Sequence, residues 1–299
     1  FLDISTGEFQ LTQGTQTEMA MLIQQLDVKE VLVAKPMKKQ IVGSYGKQFP
    51  AYFLEDWVFQ QNYATERLQD QFGVASLKGF GVSEFSAGVV AAGVILYYLN
   101  ETEHAQLDHI THIHRYDREA HIWMDPFTIR NLELIYPNAP QAVTLLQVMD
   151  HTKTPMGGRM LKRWLAAPLT DLKAIQGRLD VVTDFYEQLT RKQRMQDLLQ
   201  AVGDLERLMA KVATGRIGPR AINQLKNTLL LIPEITEIAS QSDQESLKSL
   251  GNGLDPCTDC SQWISERLSE DAPVQLGKGD TIADGFSAEL DEYRFMARG

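Results

Sequence analysis

The residues able to do chemistry in this 299-residue chain are few, and their spacing limits what each could do. Asp3 stands in the middle of a short β-like stretch. A carboxylate there can open a two-metal nuclease site, which needs about three or four carboxylates converging on paired Mg²⁺. Glu30, Glu55 and Asp56 are the available partners, but they flank predicted strands rather than occupying their centres. Cys257 and Cys260 form a CxxC, which supplies half of a tetrahedral zinc site. No second pair or neighbouring histidine completes it. A thioredoxin-type site would need its own βα context, and the flanking sequence reads as a loop entering a helix. His104, His109, His112, His114 and His121 crowd one segment and invite a zinc or pH-switch reading. Strand alternation would bring only His112 and His114 to one face, so these are read as structural histidines. Gly79-Phe80-Gly81 lacks the third glycine of a dinucleotide fingerprint, with Glu84 in its place. No GxxxxGK[ST] occurs, so no P-loop is expected. Ser5 and Ser86 have no base placed by local spacing. The chain is therefore expected to hold no catalytic, cofactor-binding or metal-ligating residue.

Composition bounds the rest. The length suits roughly two domains of about 100–200 residues each, and 43% apolar residues are enough for a sizeable core. Two cysteines provide no disulfide framework and fit a reducing cytoplasm. The opening FLDISTGEF has no basic stretch before an apolar run, so it is not expected to be a signal peptide. Starting on Phe1 in mid-pattern, the sequence is expected to be a piece of something longer. The one long apolar run, Ala87 to Leu99, falls short of the roughly twenty residues a membrane helix needs. It predicts a helix buried on most sides, capped by Ser83, with Gly88, Ala92 and Gly93 permitting close approach of a neighbour. Net charge is −10, which argues against a dedicated nucleic-acid binder. Residues 1–150 carry about −8 of it, whereas Lys153 to Lys226 has roughly twice as many bases as acids. That segment could draw DNA near it, although solvated helix faces are the simpler reading.

The elements that must position these residues are legible in outline. FLDIST and EFQLTQ alternate around Ser5-Thr6-Gly7 as a hairpin would. Helical periodicity covers Glu18 to Asp27. Glu30 to Lys35 and Ala51 to Trp57 read as strands, and Thr65 to Phe72 as a short amphipathic helix capped by Thr65. Strands alternating with helices predict an α/β domain up to about residue 105. Thr111 to Trp123 alternates like two strands. Pro126 opens a helix, and beyond Thr144 nearly everything reads as helix. Thr154-Pro155 is a helix start. Met156, Met160, Leu161, Trp164 and Leu165 then share a stripe, and Pro168 stops the helix. Thr170 is the expected cap of the next helix, with Leu172, Ile175, Leu179 and Val182 as its apolar repeat. Pro219 starts a helix whose buried face is Ile222, Leu225 and Leu229, and Pro233 predicts a kink. Gln241 to Pro256 reads as a mobile connection, and the last residues as a helix.

The segment Thr154 to Leu169, TPMGGRMLKRWLAAPL, closely resembles the core-domain signature of the MutS family of mismatch-recognition proteins. The resemblance continues in MDPFTIRNLEL (124–134), GDLERLMAKV (203–212), GPRAINQLKNTL (218–229) and DGFSAELDEYR (284–294), in family order and at family-like spacing. It implies a multi-domain α/β plus all-α protein. Residues 1–107 would be a ribonuclease H-like α/β connector that is not a nuclease. Residues 108–299 would be a mainly helical core, or lever, domain ending where the clamp begins. The mismatch-reading Phe-x-Glu motif belongs to an N-terminal domain outside this chain, and the ATP and Mg²⁺ site to a C-terminal ATPase outside it. This piece is thus expected to be no enzyme. The resemblance implies a cytoplasmic parent that binds mismatched double-stranded DNA as a homodimer and does not enter the membrane. It also implies a connector surface for MutL, for which Glu66, Arg67 and Gln69 are the candidate exposed contacts. Met156, Met160, Trp164 and Leu165 would be the packing seam of the lever. The competing readings are a ribonuclease H-like metal-dependent nuclease with a helical accessory domain, and a recombination-type paralogue.

Overall fold

We describe a computed structural model, which covers residues 1–26, 28–39, 41, 50–82, 84–102, 107–116, 121–122 and 124–298. The chain forms two compact units: residues 1–150 with 159–170, and residues 151–158 with 171–299. Small sheets lie in the N-terminal part, and the remainder is mainly helical.

In the first unit the predicted hairpin is present. β1 (Leu2–Asp3) pairs antiparallel with β2 (Glu8–Leu11). Gly7 closes the turn at φ +73°, a left-handed conformation that favours glycine, and an added Cβ would meet the His109 carbonyl oxygen at 3.1 Å. The Asp3 carboxylate is used inside this turn. It accepts from the Ser5 amide at 2.9 Å and the Ser5 hydroxyl at 2.5 Å. α1 (Gln16–Gln25) precedes β3 (Val31–Ala34), which pairs in parallel with β4 (Ala51–Leu54) in the register Val31 to Ala51. α2 (Gln61–Phe72) begins four residues before its predicted start, so Thr65 lies inside the helix and Gln60 occupies the cap. α3 (Ser86–Glu101) is the predicted buried helix; its proposed cap, Ser83, lies outside the described residues. β5 (His114–Arg115) adds to β2 in parallel, giving the order β1-β2-β5. α4 (Pro126–Asn131) starts under an Asp125 side chain that accepts from the Phe127 and Thr128 amides. α5 (Leu145–Met149) opens with a Thr144–Gln147 capping box. The core collects Phe9, Leu68, Val89, Leu96, Ile110 and Ile113, all at most 3% exposed.

α2 and α3 pack so closely that Gly93 is obligatory. A Cβ there would lie 2.5 Å from both Cα and Cβ of Ala64. The predicted role of this glycine as a point of close approach is thus realised, with Ala64 itself fully buried.

α6 (Pro155–Ala166) is one unbroken helix whose first turn belongs to the second unit and whose remainder belongs to the first. Thr154 Oγ1 accepts from the Gly157 amide at 2.9 Å, as its position before Pro155 predicts. α7 (Leu172–Glu187) is capped by Asp171, which accepts from Ala174 at 2.7 Å; the cap is one residue later than Thr170. α8 (Leu189–Ala201), α9 (Leu205–Ala213), α10 (Pro219–Leu229), α11 (Ile232–Ser240), α12 (Glu245–Asn252), α13 (Thr258–Arg267) and α14 (Ala288–Arg298) complete the second unit. Its core gathers Met195, Val202, Ile235 and Ile238.

Four expectations for this unit are corrected. Leu172, Leu179 and Val182 are exposed, and the buried side chain of α7 is Asp184. The buried positions of α10 are Pro219, Asn223, Lys226 and Thr228, while Ile222, Leu225 and Leu229 are only half-buried. Polar partners decide this: Asn223 Nδ2 donates to the Ser269 and Glu270 carbonyls, and Thr228 Oγ1 accepts from the Gly203 amide. Pro233 does not kink a continuing helix. It sits in the first turn of a new one, where its missing N–H leaves nothing unpaired. Lastly, much of the supposed mobile connection is α12, docked through buried Leu247 and Gly251, where a Cβ would approach Ala239 Cβ to 2.6 Å.

Candidate partner-docking surface

α2 carries the three residues singled out for partner contact. Ala64 and Leu68 form its buried face, one turn apart, which directs Glu66 outward. Of the three, Glu66 alone is exposed; Arg67 and Gln69 are half-buried and already engaged. Arg67 Nε donates to Tyr63 Oη at 3.1 Å, with the guanidinium 5.4 Å from the Tyr63 ring centre. Gln69 Nε2 donates to the Ala75 carbonyl at 2.8 Å and ties down the chain after the helix. The expectation of three freely exposed contacts is corrected to one. A residue one turn along from a tyrosine finds its partner locally before any partner protein arrives.

Beside this face lies a feature the sequence reading missed. Trp57, Tyr63 and Tyr97 form a mutually edge-on triad, with ring centroids 5.2, 5.5 and 6.1 Å apart. Trp57 is 49% exposed. Tyr52 and Tyr98 make a further pair at 5.1 Å. Tyr98 Oη donates to Glu30 at 2.9 Å, and burial together with that carboxylate pushes its phenol up to about 12. Burial, then Glu101, raises Tyr97 as well. Tyr97-Tyr98 at the end of an apolar run was the available signal. Its pairing with Trp57 and Tyr63 depends on how α2 and α3 cross.

The α6 stripe is also corrected. Met156 is half-buried against the Met195 cluster and Leu165 is half-buried. Met160 and Trp164 are 44% and 41% exposed, and the buried residue of the helix is Ala166. Periodicity marks a face suited to burial; it does not supply the body that covers it. The carboxylates weighed for a nuclease have local uses of their own: Asp3 in its turn, Glu30 on Tyr98, and Glu55 paired with Lys35. Among the described residues no group of three His, Cys, Asp or Glu side chains is placed to hold a metal ion. His109 Nε2 meets the Ile4 carbonyl oxygen at 2.8 Å, His112 stacks on His114 at 6.1 Å, and His121 stacks on Tyr116 at 6.4 Å. His104 lies outside the described residues. The basic segment spends part of its charge internally: Arg191 on Asp184 at 2.6 Å, Arg194 on Glu234 at 2.8 Å and Arg207 on Asp204 at 3.4 Å. No helix among the described residues is long and apolar enough to cross a membrane.

Comparison with known proteins accounts for nearly the whole chain. Residues 1–111 match the family MutS domain II, and residues 127–297 match MutS domain III. The DNA mismatch repair protein MutS of Flavobacterium psychrophilum is 47% identical over 98% of this chain. That of Christiangramia forsetii is 47% identical over 99%, and that of Cytophaga hutchinsonii 43% over 99%. The chain spans about a third of the length of these relatives, 34% of the first two and 35% of the third. With two consecutive domains matched in order, the chain belongs to the MutS family and carries its domains II and III.

Proposed function

We propose that this chain is the middle portion of a mismatch-repair MutS, working as a mechanical and docking element. The observation that carries the reading is the near full-length identity to proteins named for mismatch repair, covering only a third of their length. Residues 1–107 act as a connector of ribonuclease H-like fold, and residues 108–299 as the start of the lever. The parent binds mismatched double-stranded DNA as a homodimer in the cytoplasm. Its ATP and Mg²⁺ belong to a domain beyond this chain, which itself holds no cofactor and catalyses nothing. The relay reading is supported by the packed helices of the second unit, whose core gathers Met195, Val202, Ile235 and Ile238. Packed elements move between discrete arrangements rather than deforming smoothly, so such a bundle passes displacement on.

MutL docks on the α2 face beside the aromatic triad, with Glu66, Arg67 and Gln69 at its edge. Exposed aromatic clusters flanked by arginine are typical anchors of protein interfaces. The test is the 299-residue chain titrated with purified MutL. Wild type binds, while Glu66→Arg and Trp57→Ala each weaken binding roughly tenfold or more with unchanged circular dichroism. Binding indifferent to both substitutions overturns the docking site. The same chain in a gel shift shows no preference for mispaired over paired duplex, and tenfold discrimination would overturn the assignment of mismatch reading to a domain elsewhere.

A further inference from the structure

Trp57 sits in a short 3-10 turn, Asp56–Phe59, whose buried Val58 pins it to the core. The indole is left half in solvent, edge-on to Tyr63 and Tyr97. Aromatic rings carry a negative face that attracts cations, and this unit already uses that property twice. The Arg67 guanidinium lies 5.4 Å from the Tyr63 ring centre, and Lys38 Nζ lies 5.1 Å from that of Phe53. Among the described residues no cation lies over Trp57. Three exposed carboxylates border the same rings. Asp56 adjoins Trp57 in the chain, Glu66 is one helical turn on from Tyr63, and Glu101 is one turn on from Tyr97. None of the three is hydrogen-bonded or ion-paired to a described residue. The basic groups Lys35 and Arg67 are already engaged, on Glu55 and Tyr63. A phosphate or an acidic peptide would be repelled by such a rim, and a cation drawn to it.

We propose that this patch receives an arginine side chain from a basic segment of a partner protein, stacked on the open face of Trp57 and drawn there by Asp56, Glu66 and Glu101. The inference rests on the docking reading above and specifies the chemistry of what docks: a positively charged stretch of MutL. Arginine suits the patch better than lysine. Its planar guanidinium lies flat on an indole while its N–H groups stay free for a carboxylate at the rim. The rings hold the cation at short range, and the carboxylates act on its approach at longer range.

The test titrates the 299-residue chain with purified MutL over a series of salt concentrations, reading affinity and association rate. Asp56→Asn and Glu101→Gln each weaken binding roughly threefold, and the two together roughly tenfold, mainly by slowing association and flattening the salt dependence. Glu292→Gln, an exposed carboxylate of the second unit, changes nothing. Trp57→Phe keeps most of the affinity, whereas Trp57→Leu loses roughly tenfold, because leucine retains apolar area but offers no ring face. Circular dichroism checks that each variant is folded, and the surface carboxylate variants carry the test if a Trp57 variant is not. No binding by the wild-type chain, or binding indifferent to both Trp57 substitutions, overturns the docking reading and this inference with it. Binding that Trp57→Leu weakens, but that salt and the carboxylate substitutions leave unchanged or strengthen, keeps the docking site and overturns the basic occupant. Equal losses for Trp57→Phe and Trp57→Leu overturn the stacking.

Discussion

α3 of the first unit and α7 of the second are each sixteen residues long, and both present apolar periodicity. They use it in opposite ways. The buried positions of α3 are Gly88, Val89, Ala92, Gly93, Val94, Leu96 and Leu99, closed against α2 at the Gly93–Ala64 contact. The buried position of α7 is a carboxylate, Asp184, while Leu172, Leu179, Val182 and Tyr186 are 77, 51, 63 and 80% exposed. One helix is anchored by shape and area. The other has a carboxylate as its one fully buried side chain, with Phe185 half-buried against the core beside it: Arg191 donates to both Asp184 oxygens at 2.6 and 2.7 Å, Ser242 donates at 2.6 Å, and Arg191 also reaches the Gln241 carbonyl. That clamp joins α7, α8 and the end of α11. An amphipathic stripe therefore does not by itself reveal how a helix is held.

The sharpest test of this contrast removes the clamp. Asp184→Ala leaves Arg191 without its buried partner and should cost about 3–5 kcal/mol in denaturant unfolding of the second unit. A loss below about 1 kcal/mol would return α7 to an apolar anchor. The same group sets a pH dependence. Burial alone would raise the Asp184 carboxyl, but hydrogen bonds from Arg191 and Ser242 outweigh it and hold it below the ordinary range. With the folded value depressed, its contribution is complete above about pH 4, where unfolded Asp ionises. The contribution is lost as pH falls below that point toward the folded value. Melting followed from pH 6 to 3 should show a fall near the acid end that Asp184→Asn does not share.

Next in size is Gly93→Val. It drives a branched side chain into Ala64 backbone atoms and should destabilise the first unit by about 1–3 kcal/mol, read by urea titration. An unchanged midpoint would show that α2 and α3 are not in contact there. Trp164→Ala, near half exposure, should cost under about 2 kcal/mol rather than the 3–5 of a core tryptophan. Smallest is Leu179→Ser in α7, within about 0.5 kcal/mol, whereas a loss of several kcal/mol would mean that this stripe is covered in solution.

Much of the fold was readable in advance where a signal is local. Thr154 before Pro155 caps α6, Gly7 turns the hairpin, and Gly93 in a small-residue run marks a close crossing, because each depends on one or two neighbours. The candidate docking site was only partly readable. Residue type and helical phase pointed to Glu66, but Arg67 and Gln69 are drawn off by Tyr63 and Ala75, and the triad with Trp57 joins elements forty residues apart. The stretch from Gln241 to Pro256 misled because polar composition was taken for looseness, when Gly251 docking on Ala239 makes most of it a helix.

By itself the sequence determined the family, the order of its two domains and where most helices begin, since capping hydroxyls, prolines and left-handed glycines act over one turn of chain. Only the tertiary structure decided which faces those helices bury. Burial is a property of two surfaces, and a periodic stripe specifies one of them. So Met160 and Trp164 stand half exposed on the stripe meant for the core, and Asp184 is buried on a helix whose leucines face water.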